Sequence, residues 1–138
     1  MAIIAIDFGK RRIGLAIAES ASSVAFPLGT ITRVSRDKDL EQLRSWISSR
    51  AATQLVVGLP LNMDGSEGSS ARAARTFGTQ LAARLDLPVD YTDERLTSFE
   101  ARERLSNQGG RRRRKTVVDA VAATIILEEW LASHRNSS

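Results

Sequence analysis

The sequence has no cysteine and a single histidine, His134. Without cysteine the chain cannot form a disulfide framework, a thiolate zinc site or a cysteine nucleophile. One histidine in a polar tail also argues against a histidine metal cage and against a Ser-His-Asp triad. These absences leave carboxylates as the side chains with which the chain could hold a metal ion.

Aromatic residues make up only 5% of the chain, so isoleucine, valine, leucine and alanine must build its core. No apolar run approaches the roughly 20 residues that cross a bilayer, and the N-terminus has no signal-peptide pattern. We therefore expect a cytoplasmic protein without a membrane partner. A length of 138 residues predicts a single domain over 1–138, with a disordered tail at about 135–138.

The net charge of +4 is unevenly distributed. Residues 1–60 carry 8 basic and 5 acidic side chains, residues 61–110 carry 6 and 8, and residues 111–138 carry 6 and 3. Two runs concentrate the positive charge, and they consist of Lys10, Arg11 and Arg12, and of Arg111, Arg112, Arg113, Arg114 and Lys115. Such runs are often only solvated surface, but they can also bind a polyanion.

Hydrophobic periodicity and cap signals predict the element order β-β-β-α-β-α-β-α-α. The predicted strands cover residues 2–7, 13–19, 28–34, 54–59 and 89–92. The predicted helices cover residues 38–51 (capped by Asp37), 69–85, 98–107 and 116–133. Directly joined strands favour an antiparallel meander, and strands alternating with helices favour parallel crossovers. The expected fold class is α/β, a five-stranded mixed sheet with helices on both faces.

Two segments between these elements are predicted to be loops. Residues 61–68 are rich in glycine and acidic, but they lack the Gly-Lys-Ser/Thr of a phosphate-binding loop, so we expect a mobile flap. Residues 108–115 combine two glycines with the second basic run, and we expect a flexible basic loop there.

Three carboxylates stand at positions where the predicted fold could bring them together. Asp7 ends the first strand and Glu94 comes after the fifth, and ligands of open α/β sheets bind at the carboxyl ends of the strands. Asp119 precedes Ala123 and Ile126 at helical spacing, on the small apolar face expected to pack on the sheet. Three carboxylates without histidine or cysteine select Mg²⁺ or Mn²⁺, and one or two such ions support phosphodiester hydrolysis.

Each of these acids also has a purely structural interpretation. Asp7 could cap a turn or pair with Arg12, and Glu94 could form a surface salt bridge. Asp119 stands three residues after Thr116, which is the spacing of a helix capping box. Only the three acids together favour a metal site.

Four sequence blocks resemble the YqgF/RuvX family, a bacterial branch of the RNase H-like superfamily. The first block is Asp7-Phe8-Gly9-Lys10-Arg11-Arg12-Ile13-Gly14, and the second spans residues 58–68. The third is Asp93-Glu94-Arg95-Leu96-Thr97, and the last is Val118-Asp119 with Ala122-Ala123 and Ile126-Leu127. The blocks keep their order over nearly the whole chain. One departure is Ala120, where relatives often have serine.

The resemblance implies an RNase H-like fold and catalytic, metal-binding acids at Asp7, Glu94 and Asp119. It also implies a nuclease for the 5′ end of precursor 16S rRNA, and an older description of the family implies a resolvase of four-way Holliday junctions. We expect the two basic runs and Arg95 to bind the nucleic-acid backbone, in structured RNA or branched DNA. A monomer or weak homodimer is expected.

Two functions of other classes stay open at this point. The Asp-x-Gly hairpin also resembles the phosphate-binding turn of the actin, hexokinase and Hsp70 ATPases, but those proteins need two such domains around a cleft. The chain could also be a non-enzymatic assembly factor, which the intact set of three acids argues against.

Overall fold

The computed structural model describes residues 2–94 and 111–136, with side chains described over 2–94 and 120–134. The strands are β1 (Ala2–Phe8), β2 (Arg12–Ala18), β3 (Phe26–Thr32), β4 (Ala52–Leu59) and β5 (Val89–Asp93). The helices of the described residues are α1 (Arg36–Ser48), α2 (Ser69–Leu85) and α3 (Arg111–Asn136). The helix predicted over 98–107 lies outside the described residues.

The five strands form one mixed sheet in the order β3-β2-β1-β4-β5. β1, β2 and β3 pair antiparallel, whereas β4 pairs parallel with both β1 and β5. This confirms the predicted meander and the parallel strands after it. Because β4 lies between β1 and β5, the carboxyl ends of β1 and β5 flank the end of β4.

The sheet separates two hydrophobic cores, as expected for helices on both faces. In β1, Ile4 and Ile6 belong to the core that α1 and α2 cover, whereas Ile3 and Ala5 belong to the core that α3 covers. Successive residues of a strand point to opposite faces, so the position of a residue in β1 decides which core it faces. None of the described helices is both long and apolar enough to span a membrane.

β3 and α1 are among the elements that begin earlier than predicted. β3 starts at Phe26, two residues before the predicted start, and includes Pro27; an edge strand tolerates proline because one side of it makes no ladder bonds. α1 is capped by Ser35, whose side chain accepts a hydrogen bond from the N–H of Lys38, and not by Asp37.

The largest difference from prediction concerns the second basic run. Residues 111–115 were expected in a flexible loop, but α3 is already helical at Arg111 and continues to Asn136. Arginine and lysine are good helix formers, and that propensity prevails here over the unfavourable placement of positive charge at a helix N-terminus. Thr116 is therefore not the cap of this helix, and the capping-box interpretation of Asp119 is wrong.

Candidate active site

Asp7 and Glu94 meet at the carboxyl edge of the sheet, on the face covered by α3. Every second residue of a strand points to the same face, so Asp7 lies on the same face of β1 as Ile3 and Ala5, which is the face that α3 covers. Glu94 comes directly after β5, and its backbone N–H donates a hydrogen bond of 3.1 Å to the carbonyl oxygen of Leu59. This bond extends the β4–β5 ladder by one step and holds Glu94 beside the end of β4.

Gly58 forms the floor on which the Glu94 carboxyl group lies. A Cβ atom at Gly58 would stand 2.5 Å from Glu94 Oε2 and 2.5 Å from Ile126 Cδ1. Only a residue without a side chain therefore lets the carboxylate and α3 approach β4 this closely. Sequence reasoning did not single out Gly58 as a site residue; the signal was a lone glycine inside an otherwise apolar strand, which often marks close approach.

The Glu94 carboxyl group is in an unfavourable environment for a negative charge. The residue is only 3% exposed, and among the described residues no group donates a hydrogen bond to its Oε2 atom. Burial raises the pKa of Glu94 to about 9, and repulsion from Asp7, a hydrogen bond with the Asp7 side chain and repulsion from Asp93 act in the same direction. The two acids therefore interact directly.

A cation bound between Asp7 and Glu94 would stabilise the charged form of both carboxylates. It would offset the repulsion between Asp7 and Glu94, and it would give the unbonded oxygen of Glu94 a partner. Carboxylate oxygens are the ligands that Mg²⁺ and Mn²⁺ prefer. The residues present thus fit a hard divalent cation.

The third predicted acid, Asp119, lies in α3, seven residues before Ile126. The Ile126 side chain packs against Gly58 on the same side as the Glu94 carboxyl group, so α3 passes over this end of β4. The side chain of Asp119 is not among the described side chains, and no three acidic or histidine side chains of the described set form a metal cluster. Asp119 as a ligand stays a prediction.

The first basic run lies in the turn directly after Asp7 and Phe8. The N–H of Gly9 donates a hydrogen bond of 3.0 Å to the carbonyl of Arg12, which closes the turn. Lys10 and Arg11 are exposed at its tip, and Arg12 is half-buried at the start of β2. Lys10 and Arg11 therefore present positive charge to solvent three and four residues after Asp7. Arg95 lies outside the described residues, and the side chains of residues 111–115 are not described.

The loop over residues 61–68 is closed by its own hydrogen bonds. Asn62 donates its backbone N–H to the carbonyl of Ser66 (2.9 Å), and its carbonyl accepts a hydrogen bond from the N–H of Gly65 (2.8 Å). Glu67 then forms an ion pair of 2.9 Å with Arg75 of α2. These contacts connect the loop to α2; the flap movement expected from the sequence stays a prediction.

We predict that Gly58→Ala will disturb the site and the stability of the fold together. The new methyl group must displace the Glu94 carboxyl group and the Ile126 side chain, and overpacking of this kind costs about 1–3 kcal/mol. Thermal unfolding and cleavage assays measure the two effects. Gly68→Ala is the matched control, because the three atoms nearest to its Cβ atom would all belong to the Asn62 side chain, the closest at 3.3 Å. Equal behaviour of the two variants would contradict the role of Gly58.

Comparison with known proteins adds three findings. The model of the RuvX family, described as Holliday junction resolvase, matches residues 1–133. A Rippkaea orientalis protein named "Putative pre-16S rRNA nuclease" is 45% identical over 136 residues, which cover 96% of this chain and 96% of that protein. A protein of the same name from Anaeromyxobacter sp. strain Fw109-5 is 45% identical over 132 residues, covering 95% of this chain and 96% of that protein.

A similar fold is found in a solved structure described as T. thermophilus RuvC in complex with Holliday junction substrate. The two chains superpose with a TM-score of 0.59 at 13% identity, over 97% of this chain and 96% of that one. At this identity the likeness concerns the fold alone, and it confirms the predicted RNase H-like architecture.

Proposed function

The chain belongs to the RuvX family and is a nuclease, and on this premise we propose that it hydrolyses phosphodiester bonds at the 5′ end of precursor 16S rRNA with a divalent cation. The observation that carries the proposal is the acid pair. Asp7 and the buried Glu94 stand together at the carboxyl edge of the sheet, and the Glu94 Oε2 atom has no hydrogen-bond partner among the described residues.

Asp7, Glu94 and Asp119 are the proposed ligands, and Mg²⁺ or Mn²⁺ the proposed ion, in one or two copies. When bound between carboxylates, such ions lower the pKa of water and stabilise the leaving oxygen of a phosphodiester. The residues of the chain itself orient the cation and exclude bulk water. The backbone of β4 at Gly58 bounds the site on the side of the sheet, and the side chain of Ile126 bounds it on the side of α3.

The proposed backbone-binding residues are the two basic runs and Arg95. They are Lys10, Arg11, Arg12, Arg95, Arg111, Arg112, Arg113, Arg114 and Lys115. The exposure of Lys10 and Arg11, close after Asp7 in the chain, supports their contact with phosphates next to the scissile bond.

We predict that Lys10→Gln combined with Arg11→Gln weakens RNA binding and flattens its dependence on salt. For each phosphate that the variant no longer binds, the slope of log K against log salt concentration becomes shallower by about 0.7–0.9. Titrations between low and moderate salt measure the slope. The charge-matched control combines Arg44→Gln in α1 with Arg50→Gln just after it, away from the turn. A slope that stays the same in the turn variant would contradict phosphate binding by these residues.

A cleavage panel separates the proposed substrate from the alternative. The family description, Holliday junction resolvase, favours four-way DNA as that alternative. Precursor 16S rRNA, single-stranded RNA and a four-way DNA junction should be incubated with Mg²⁺ or Mn²⁺. We expect cleavage of the rRNA precursor. Symmetrical cleavage of the junction by a stable two-fold dimer would favour the resolvase instead.

We infer three further properties of the chain. The match of one family model over residues 1–133 supports one domain. The proposed substrate, a ribosomal RNA precursor, supports a cytoplasmic location. We propose a monomer or weak homodimer in solution, which light scattering across a concentration series tests.

A further inference from the structure

Arg33, which comes directly after β3, holds the turn that carries Lys10 and Arg11. Its Nη1 atom donates hydrogen bonds to the carbonyls of Gly9 (2.9 Å) and Lys10 (3.1 Å). Its backbone N–H donates a third, of 2.9 Å, to the carbonyl of Arg11. Three consecutive carbonyls of the turn thus accept hydrogen bonds from one residue. The side chain supplies two of these bonds from Nη1, while Nε of the same planar guanidinium group is left to face Asp39, and an arginine suits this position because its donors point in fixed, different directions.

Asp39 of α1 forms an ion pair with Arg33 through an atom, Nε, that does not bond the turn. Asp39 is only 1% exposed, its Oδ2 atom lies 3.7 Å from Arg33 Nε, and its Oδ1 atom accepts a hydrogen bond of 2.9 Å from the N–H of Val34. A buried carboxylate needs a cation or donors nearby, and Asp39 has both. The guanidinium group of Arg33 is therefore held between a buried acid on one side and the turn on the other.

The guanidinium group of Arg33 also packs on the ring of Phe8, the residue next to Asp7. The Arg33 Cζ atom lies 4.2 Å from the centre of the Phe8 ring, and the Phe77 ring of α2 stacks on Phe8 with centroids 4.4 Å apart. Successive strand residues point to opposite faces. Holding Phe8 on the α2 side therefore holds Asp7 on the α3 side, toward Glu94.

We propose that Arg33, supported by Asp39, is a positioning residue that fixes both the Asp7 carboxylate and the basic turn for the reaction. The proposal rests on the proposed function for its catalytic consequence. Its structural part, that Arg33 keeps the turn closed, stands on the described contacts alone. Nothing in the resemblance of the sequence to its family pointed to Arg33 or Asp39, because neither belongs to the four blocks.

The first test measures amide hydrogen exchange in the full-length protein by NMR. In Arg33→Met we expect the Gly9 amide, which closes the turn, to exchange about tenfold faster or more, with the amides of Ile4 and Leu15 unchanged. Arg33→Met leaves Asp39 buried without its cation, so a double variant with Asp39→Asn removes that charge and should show the same local effect. Arg44→Met, an exposed arginine paired with Glu41, is the control.

The second test measures cleavage kinetics of the same variants. We expect a kcat about tenfold lower or more, with KM changed less than about threefold, because the charges remain while their placement is disturbed. Arg33→Lys should recover only part of kcat, since one ammonium group cannot donate to both carbonyls while also facing Asp39 and stacking on Phe8. Unchanged Gly9 exchange, or faster exchange of all sheet amides alike, would overturn the proposal. Absence of cleavage by the wild type would instead contradict the proposed function and leave the exchange result to decide the role of Arg33.

Discussion

Asp7→Asn is expected to lose at least about a thousandfold in kcat, roughly 4 kcal/mol of barrier, while RNA binding stays within about threefold of the wild type. Asparagine keeps the shape of aspartate, so the turn and β1 should be undisturbed. It removes the negative charge with which the site would hold a cation. Single-turnover cleavage in Mg²⁺ or Mn²⁺ and a binding titration without metal measure the two quantities.

Asp37→Asn is the matched control for Asp7→Asn. Asp37 is an exposed acid in the first turn of α1, and the substitution is chemically the same. We expect it to keep most of the cleavage activity. Full activity of Asp7→Asn would refute the catalytic assignment and leave the chain as a nucleic-acid-binding factor.

Glu94→Gln should stabilise the metal-free protein at about pH 8. Because the fold raises the pKa of Glu94 from 4.5 to about 9, the folded state keeps a proton that the unfolded state has lost between these values. Stability that this group contributes is present below pH 4.5 and is lost as the pH rises toward 9, at a rate of at most about 1.4 kcal/mol per pH unit. Glutamine has no such penalty, so we expect a gain of roughly 1–3 kcal/mol.

Thermal unfolding from about pH 5 to pH 9, with and without Mg²⁺, tests this expectation. The wild type should lose stability with rising pH and recover it when the ion binds, by about 2.7 kcal/mol at an ion concentration of 100 times Kd. Glu94→Gln should show a flatter pH dependence and a smaller response to the ion. Glu128→Gln, at an exposed position of α3, should behave as the wild type. Equal destabilisation of Glu94→Gln at both ends of the pH range would show that charge is not the cause.

The sheet could be predicted from the sequence because its signals are local and agree with one another. Short branched runs marked every strand, and the change from direct connections to helical crossovers marked the change from antiparallel to parallel pairing. The same reasoning placed Asp7 and Glu94 at one edge. It could not show that Glu94 is buried, since a carboxylate between Asp93 and Arg95 has the sequence context of a surface ion pair.

The remaining differences come from long-range contacts and from competing signals. The predicted third strand left out Pro27, because the tolerance of a strand for proline depends on its being at the edge, which is a property of the assembled sheet. Residues 111–115 were expected in a loop because two glycines precede them and the last helix was predicted to begin only at Thr116. The roles of Gly58 and Arg33 depend on atoms far away in sequence, Ile126 in one case and the Gly9 carbonyl in the other.

The hydrogen bond from the Glu94 N–H to the Leu59 carbonyl fixes the backbone position of this acid from β4, independently of the chain beyond residue 94. The backbone of Glu94 is held by β4 in the same way as a residue inside β5, although the strand ends at Asp93. A substitution at Arg95, a proposed backbone-binding residue, should therefore leave the backbone of Glu94 in place. Residues proposed to bind the substrate and the acid proposed to bind the cation would then be free to change independently in evolution.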